Sequence, residues 1–134
     1  MLDLLLDREP FAEPAAALLS RVEAGEMQGC LCATTITTIH YLASKVVGAK
    51  QALLAIRKLL SIFEVAPVDR PALEAALESG LVDFEDAVLY AAARQVCAEA
   101  IVTRDPADFK RAALPVFSPR ELNQALALRA SQES

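Results

Sequence analysis

Apolar positions recur at helical spacing from Phe11 to Met27. Ala15, Leu18, Leu19 and Val22 share a side, and Pro14 stands early enough for a first turn. The next segment, Gly29-Cys-Leu-Cys-Ala-Thr, is a short apolar run opened by glycine, which predicts a buried strand ending near Thr34. A helix then opens in the threonine run Thr34 to Thr38, carries Ile39, Leu42, Ala43 and Val46 inward, and stops at Gly48. The helical pattern resumes over Ala49–Ile62 through Leu53, Leu54, Ile56, Leu59 and Leu60, with Arg57 and Lys58 outside. Phe63-Glu-Val-Ala-Pro-Val predicts a second strand. Asp69 before Arg70-Pro71 is an N-cap with proline in the first turn, opening a helix to Glu78 that Gly80 closes.

Asp83 heads a helix to about Cys97, and Ala100-Ile-Val-Thr predicts a third strand. A short helix over Pro106 to Arg111, a brief strand at Pro115 to Phe117 and a Ser118-Pro119 capped helix from Arg120 to Leu128 complete the pattern, with residues 129–134 as a frayed tail. Strands separated by helices along the whole length predict one domain spanning residues 1–134. Its expected class is a three-layer α/β/α fold with a mostly parallel sheet, helices lying on both faces through right-handed crossovers.

Charge narrows the functional classes. Thirteen Lys and Arg against eighteen Asp and Glu leave a formal net charge of −5, which argues against non-specific coating of nucleic acid by counterion release. The uncharged stretch from Met27 to Ser44 contains Gln28, four threonines and His40 without an aromatic belt, so no membrane span is expected. The start Met-Leu-Asp-Leu-Leu-Leu-Asp lacks the basic region of a secretory signal, and the expected compartment is the cytoplasm. Cys30, Cys32 and Cys97 are odd in number beside a single histidine, which disfavours zinc. They are expected to be buried small hydrophobes.

In an open parallel sheet the ligand crevice lies beyond the carboxyl ends of the strands. Three polar junctions are candidates for it: Thr34-Thr35-Ile36-Thr37-Thr38, Asp83-Phe84-Glu85-Asp86, and Thr103-Arg104-Asp105. Asp83, Glu85, Asp86, Asp105 and Asp108 gathered there would repel one another, a cost that a divalent cation removes. Hard oxygen donors without His or Cys point to Mg²⁺ or Mn²⁺ and to hydrolytic phosphoryl chemistry. Capping alone accounts for Asp83. A second acid in the same turn adds little to a cap, so Asp86 is the stronger candidate ligand. Asp105 could cap the turn after Pro106, and Asp108 reads as structural. His40 and Ser44 lie one turn apart without a nucleophile motif, and neither a dinucleotide nor a Walker glycine pattern occurs. Arg94, Arg104, Lys110 and Arg111 could hold a phosphate backbone or form a solvated basic surface.

Asp83-Phe-Glu-Asp-Ala-Val-Leu-Tyr-Ala-Ala-Ala, followed by Ile101-Val-Thr-Arg-Asp-Pro-Ala-Asp-Phe109, resembles the C-terminal half of a PIN domain. Thr35-Ile-Thr-Thr-Ile-His-Tyr-Leu42 is similar to the family's second motif, and Leu2 to Phe11 to the helix after its first strand. The resemblance implies a metal-dependent ribonuclease of the kind found as the toxin of bacterial toxin–antitoxin pairs. An RNA substrate, an antitoxin protein and a homodimer are then the implied partners. Asp86 and Asp105 match the family's helix-start and strand-end acids and would bind Mg²⁺ or Mn²⁺, with Asp83 as an auxiliary acid and Thr38 and Arg104 near the substrate. Two departures stand out. The family's first strand and first aspartate would fall before Met1, and Thr38 stands where the second motif usually has glutamate. Such a chain is expected to show a gap or rearranged pairing in its sheet, open to a partner chain. The alternative class is a catalytically impaired module of the same fold that binds RNA or a protein partner.

Overall fold

The computed structural model describes residues 12–103, 106–109 and 112–133. The expected helix over Leu2 to Phe11, and Arg104, Asp105, Lys110 and Arg111, lie outside the described residues. In chain order the elements are α1 (Ala12–Glu23), β1 (Cys30–Cys32), α2 (Ala33–Val47), α3 (Ala49–Ile62), β2 (Glu64–Ala66), α4 (Arg70–Leu77) and α5 (Phe84–Gln95). They continue with β3 (Ile101–Val102), a 3₁₀ turn (Pro106–Phe109), β4 (Val116–Phe117) and α6 (Pro119–Glu133). The order is that of an α/β fold, and every described ladder is parallel. No described helix is long and apolar enough to cross a membrane.

The strands do not form one sheet among the described residues. β1 pairs with β2, Leu31 opposite Val65, and β3 pairs separately with β4, Ile101 opposite Val116. Helix α5 lies under both ladders: Leu89 packs against Cys32, Ala66 and Ala92 on one side and against Tyr90, Ile101 and Phe109 on the other.

Around β1 the core is Leu31, Ile39, Leu59 and Phe63, closed over by Leu19 and Val22 from α1. Gly29 makes this closure possible. A Cβ there would lie 2.5 Å from the Phe63 ring and 3.1 Å from Val22 Cγ1, so the chain can pass under the ring only without a side chain. The α4–α5 pair packs through Ala72, Ala76, Ala87, Val88 and Ala91, small side chains that let the two helices approach closely.

Local signals set several boundaries. Asp69 accepts a hydrogen bond from Ala72 N at 3.1 Å and caps α4, with proline in its first turn. Gly48, at φ 86°, ends α2 and starts α3.

Four expectations need correction. The first helix ends at Glu23 and not at Met27, because the chain turns at Gly25 with φ 79°. The last helix continues through Glu133, so the tail from Arg129 does not fray at once. Leu53, Leu54 and Leu60 of α3, and Val46 of α2, are exposed. Only the Ala52, Ile56 and Leu59 side of α3 meets the core, and no described element covers the rest.

The cysteines also differ from expectation: Cys32 is buried, whereas Cys30 and Cys97 are exposed. Cys97 stands just past α5 with φ 58°, its N–H bonded to Arg94 O and that of Ala98 to Ala93 O. This is the left-handed helix stop that glycine usually fills, and it turns the side chain to solvent. Cys30 keeps enough protein around it that partial desolvation, then the Glu64 carboxylate across the ladder and Cys32, raise its thiol above the ordinary range.

Candidate metal and phosphate site

Helix α2 begins directly after β1, so its first turns stand at the carboxyl edge of that strand. Cys32, at its N-cap, makes no side-chain capping bond there, and the threonines fold back on the helix instead. Thr37 Oγ1 donates to Thr34 O at 2.8 Å, and Thr38 Oγ1 lies 3.1 Å from the same carbonyl. Thr38 Oγ1 is also 3.2 Å from Glu85 Oε1, 47 residues further along the chain. That contact brings the N-terminus of α5 to the carboxyl edge of β1, where a parallel α/β arrangement opens its crevice.

The start of α5 is fixed from within. Asp83 is in extended conformation, its carboxylate accepts from Asp86 N at 2.9 Å, and its carbonyl accepts from Ala87 N at 2.9 Å. Glu85 and Asp86 occupy the first turn, where the unpaired N–H groups and the helix dipole favour negative charge. Asp86 is half-buried, whereas Asp83 and Glu85 are exposed. Thr38, Asp83, Glu85 and Asp86 therefore share one locus: two of the three expected junctions meet.

The third junction is described only to its threshold. Strand β3 ends at Val102, and Thr103 N donates to Phe117 O at 2.9 Å. Arg104 and Asp105 come next and lie outside the described residues, as does the side chain of Asp108. Arg94 is not part of this locus. It sits in the last turn of α5, eight residues from Asp86 or about 12 Å of helical rise, with its guanidinium 3.3 Å from the Tyr90 hydroxyl. His40 and Ser44 make no catalytic pair, since the Ser44 hydroxyl donates to the His40 backbone carbonyl at 2.8 Å.

The donor set is suited in kind to a hard divalent cation, being all carboxylate and hydroxyl oxygen. In number the described part falls short. Among the described residues no three His, Cys, Asp or Glu side chains converge as a metal-holding group. One carboxylate oxygen of Asp83 is committed to the helix cap and one of Glu85 to Thr38. Asp86 is the half-buried acid of the three, and a full set needs a further carboxylate.

Sequence reasoning missed two contributors. Glu85 was grouped with its neighbours but given no role of its own, and its partner Thr38 is too distant in sequence for any local signal. Tyr90 was read only as part of a helix, yet its buried hydroxyl accepts from Ala113 N at 2.9 Å and ties the segment before β4 to α5.

A protein-family model described as PIN domain matches residues 1–107. No curated protein matches the chain.

Proposed function

The chain belongs to the PIN-domain family, and from that premise we propose that it is a divalent-metal-dependent ribonuclease hydrolysing RNA phosphodiester bonds. Family membership supports a nuclease-type function. The observation that carries the finer reading is the Thr38–Glu85 contact, which gathers a hydroxyl-rich helix start and an acidic one at a single sheet edge.

In this reading Asp86 and Asp105 hold Mg²⁺ or Mn²⁺. When bound, such an ion supplies a water activated at neutral pH and neutralises charge on the phosphoryl group. Asp83 is the auxiliary acid, acting by fixing the first turn of α5. Thr38 orients Glu85 and offers a hydroxyl to substrate, and Arg104 pairs with a phosphate. The proposed setting is the toxin of a toxin–antitoxin pair, cytoplasmic and homodimeric, with an antitoxin protein as its partner.

The test is cleavage of end-labelled single-stranded RNA with Mn²⁺ or with EDTA, by the parent and by Asp86→Asn, alongside thermal melts. Saturating Mn²⁺ at about 100 times its dissociation constant adds roughly 2.7 kcal/mol, on the order of 10 °C for a chain of this size. Metal-dependent cleavage and a melting shift in the parent, both lost in Asp86→Asn, are expected. Cleavage undiminished in Asp86→Asn would refute the assignment.

A second reading is favoured by Thr38 where the family's motif has glutamate. It is a module of the same fold that binds RNA or a protein partner without cutting. RNA bound but uncut, with no Mn²⁺ shift, would establish it.

A further inference from the structure

The acidic character of this chain is unevenly distributed. Of its 18 Asp and Glu none falls between Met27 and Phe63, whereas Lys45, Lys50, Arg57 and Lys58 all do. These 37 positions span β1 and the whole α2–α3 hairpin, so a chain of net charge −5 carries one continuous block of +4. All four cations are exposed, and the described ion pairs, Arg21–Glu26 and Arg70–Glu74, lie elsewhere. Lys58 shares a recess with Glu23, whereas Lys45 and Lys50 flank the hairpin turn, and a cationic turn of this kind attracts a polyanion in a salt-dependent way.

One stripe of the hairpin leads away from the crevice. Thr34, Thr38, Tyr41 and Lys45 follow one another at three- and four-residue spacing along α2, and Thr38 is the residue in contact with Glu85. Tyr41 is 59% exposed, a large aromatic ring left in solvent, and Lys45 Nζ lies 4.3 Å from its centroid. Tyr41 stands one turn beyond Thr38, and Lys45 about 10.5 Å of helical rise beyond it. An exposed ring with a cation over one face has the chemistry of a single-strand nucleic-acid subsite: a base of any identity stacks on the opposite face, or on the same face once the ammonium swings out to a phosphate.

We propose that Tyr41 and Lys45 form a nucleotide subsite, in which single-stranded RNA stacks one base on the Tyr41 ring and pairs the adjoining phosphate with Lys45. The strand then runs along α2 towards the acidic start of α5, with Lys50 continuing the cationic track at the hairpin turn. Because stacking reads a π-face and not a base edge, the subsite positions RNA with little preference for sequence. This inference rests on the ribonuclease reading above and adds the side chains that hold the strand outside the reacting centre.

The experiment is binding of a fluorescein-labelled single-stranded oligoribonucleotide to the full chain, measured by anisotropy in EDTA so that no cleavage intervenes. Tyr41→Ala is expected to weaken binding between about 5-fold and about 160-fold, the range for loss of one stacked base, while Tyr41→Phe keeps parental affinity. Lys45→Ala is expected to lower the slope of log affinity against log salt by about 0.7, the loss of one single-strand phosphate contact. Both positions are exposed, and unchanged melting temperatures verify that the variants fold.

Parental RNA binding with Tyr41→Ala and Lys45→Ala unchanged would overturn this inference and leave the ribonuclease reading standing. No RNA binding by the parent would also overturn this inference, while the ribonuclease reading is decided separately by cleavage with Mn²⁺. Unchanged RNA affinity with a loss of self-association in sedimentation would overturn the subsite in favour of an interface between copies, which the exposed Val46, Leu53 and Leu54 would serve.

Discussion

Replacing Asp83 separates a helix cap from a catalytic acid. The Asp83 carboxylate accepts one bond, from Asp86 N at 2.9 Å, and alanine removes it. Loss of such a cap costs about 1 kcal/mol, within a range of roughly 0.5 to 2. Unfolding entropy of about 2.1 cal/mol/K per residue amounts to about 0.28 kcal/mol/K for this chain, so Asp83→Ala is expected to melt about 3 to 4 °C lower. Asparagine keeps an oxygen at the same place and caps as well as aspartate. It forfeits the attraction of one charge to the helix dipole but relieves repulsion from Glu85 and Asp86 in the same turn, so Asp83→Asn is expected within about 2 °C of the parent.

The assays are a calorimetric melt without metal and RNA cleavage at 25 °C, well below the transition. If Asp83 acts by fixing α5, Asp83→Asn retains parental cleavage and Asp83→Ala loses only what a loosened first turn costs. An Asp83→Asn protein that melts as low as Asp83→Ala would refute the hydrogen-bond argument. One that is fully stable yet inactive would show that the charge itself serves the reaction.

Further outcomes follow from the packing. Gly29→Ala forces a methyl group against the Phe63 ring and is expected to cost about 1 to 3 kcal/mol, read as a lower urea midpoint at unchanged slope; an unchanged midpoint would mean that Phe63 moves aside freely. Tyr90→Phe removes the acceptor of the Ala113 N–H and is expected to destabilise by about 0.5 to 1.5 kcal/mol, with exchange at Ala113 accelerated before that of α5. Cys97→Gly relieves a left-handed backbone and is expected to stabilise by up to about 1 kcal/mol, a gain that melting would show as about 3 °C.

Legibility in the sequence followed the range of the interactions. The bounds of α3 were read correctly as Ala49–Ile62, and Asp69 and Asp83 were read correctly as caps, because a cap is decided within four residues. The PIN resemblance rested on the same kind of local pattern, the Asp83 and Ile101 runs, and the family match bears it out. The strands came out shorter than the apolar runs that announced them. Six residues from Phe63 yielded three in β2, since each ladder has a single neighbour and ends where that neighbour ends. The apolar side of α3 was overcounted for a similar reason, as periodicity assigns a face without showing whether anything covers it. Nothing local pairs Thr38 with Glu85, so that part of the site needed the fold.

The placement of α5 under two separate ladders bears on how the molecule opens. Each ladder closes its own backbone bonds, and Leu89 is an apolar bridge between the cluster at Cys32 and that at Ile101. Cooperativity between the two halves is therefore transmitted by helix packing, through α5 and through the contact of α1 with α6, and not through a continuous row of strand hydrogen bonds. In native-state hydrogen exchange the β3–β4 amides should open as a unit of lower free energy than those of β1–β2, whose cluster is backed by α1, α2 and α3. The amides of α5 should be released only with the whole molecule. Trimming Leu89 to alanine would then weaken that coupling and widen the gap between the two opening free energies.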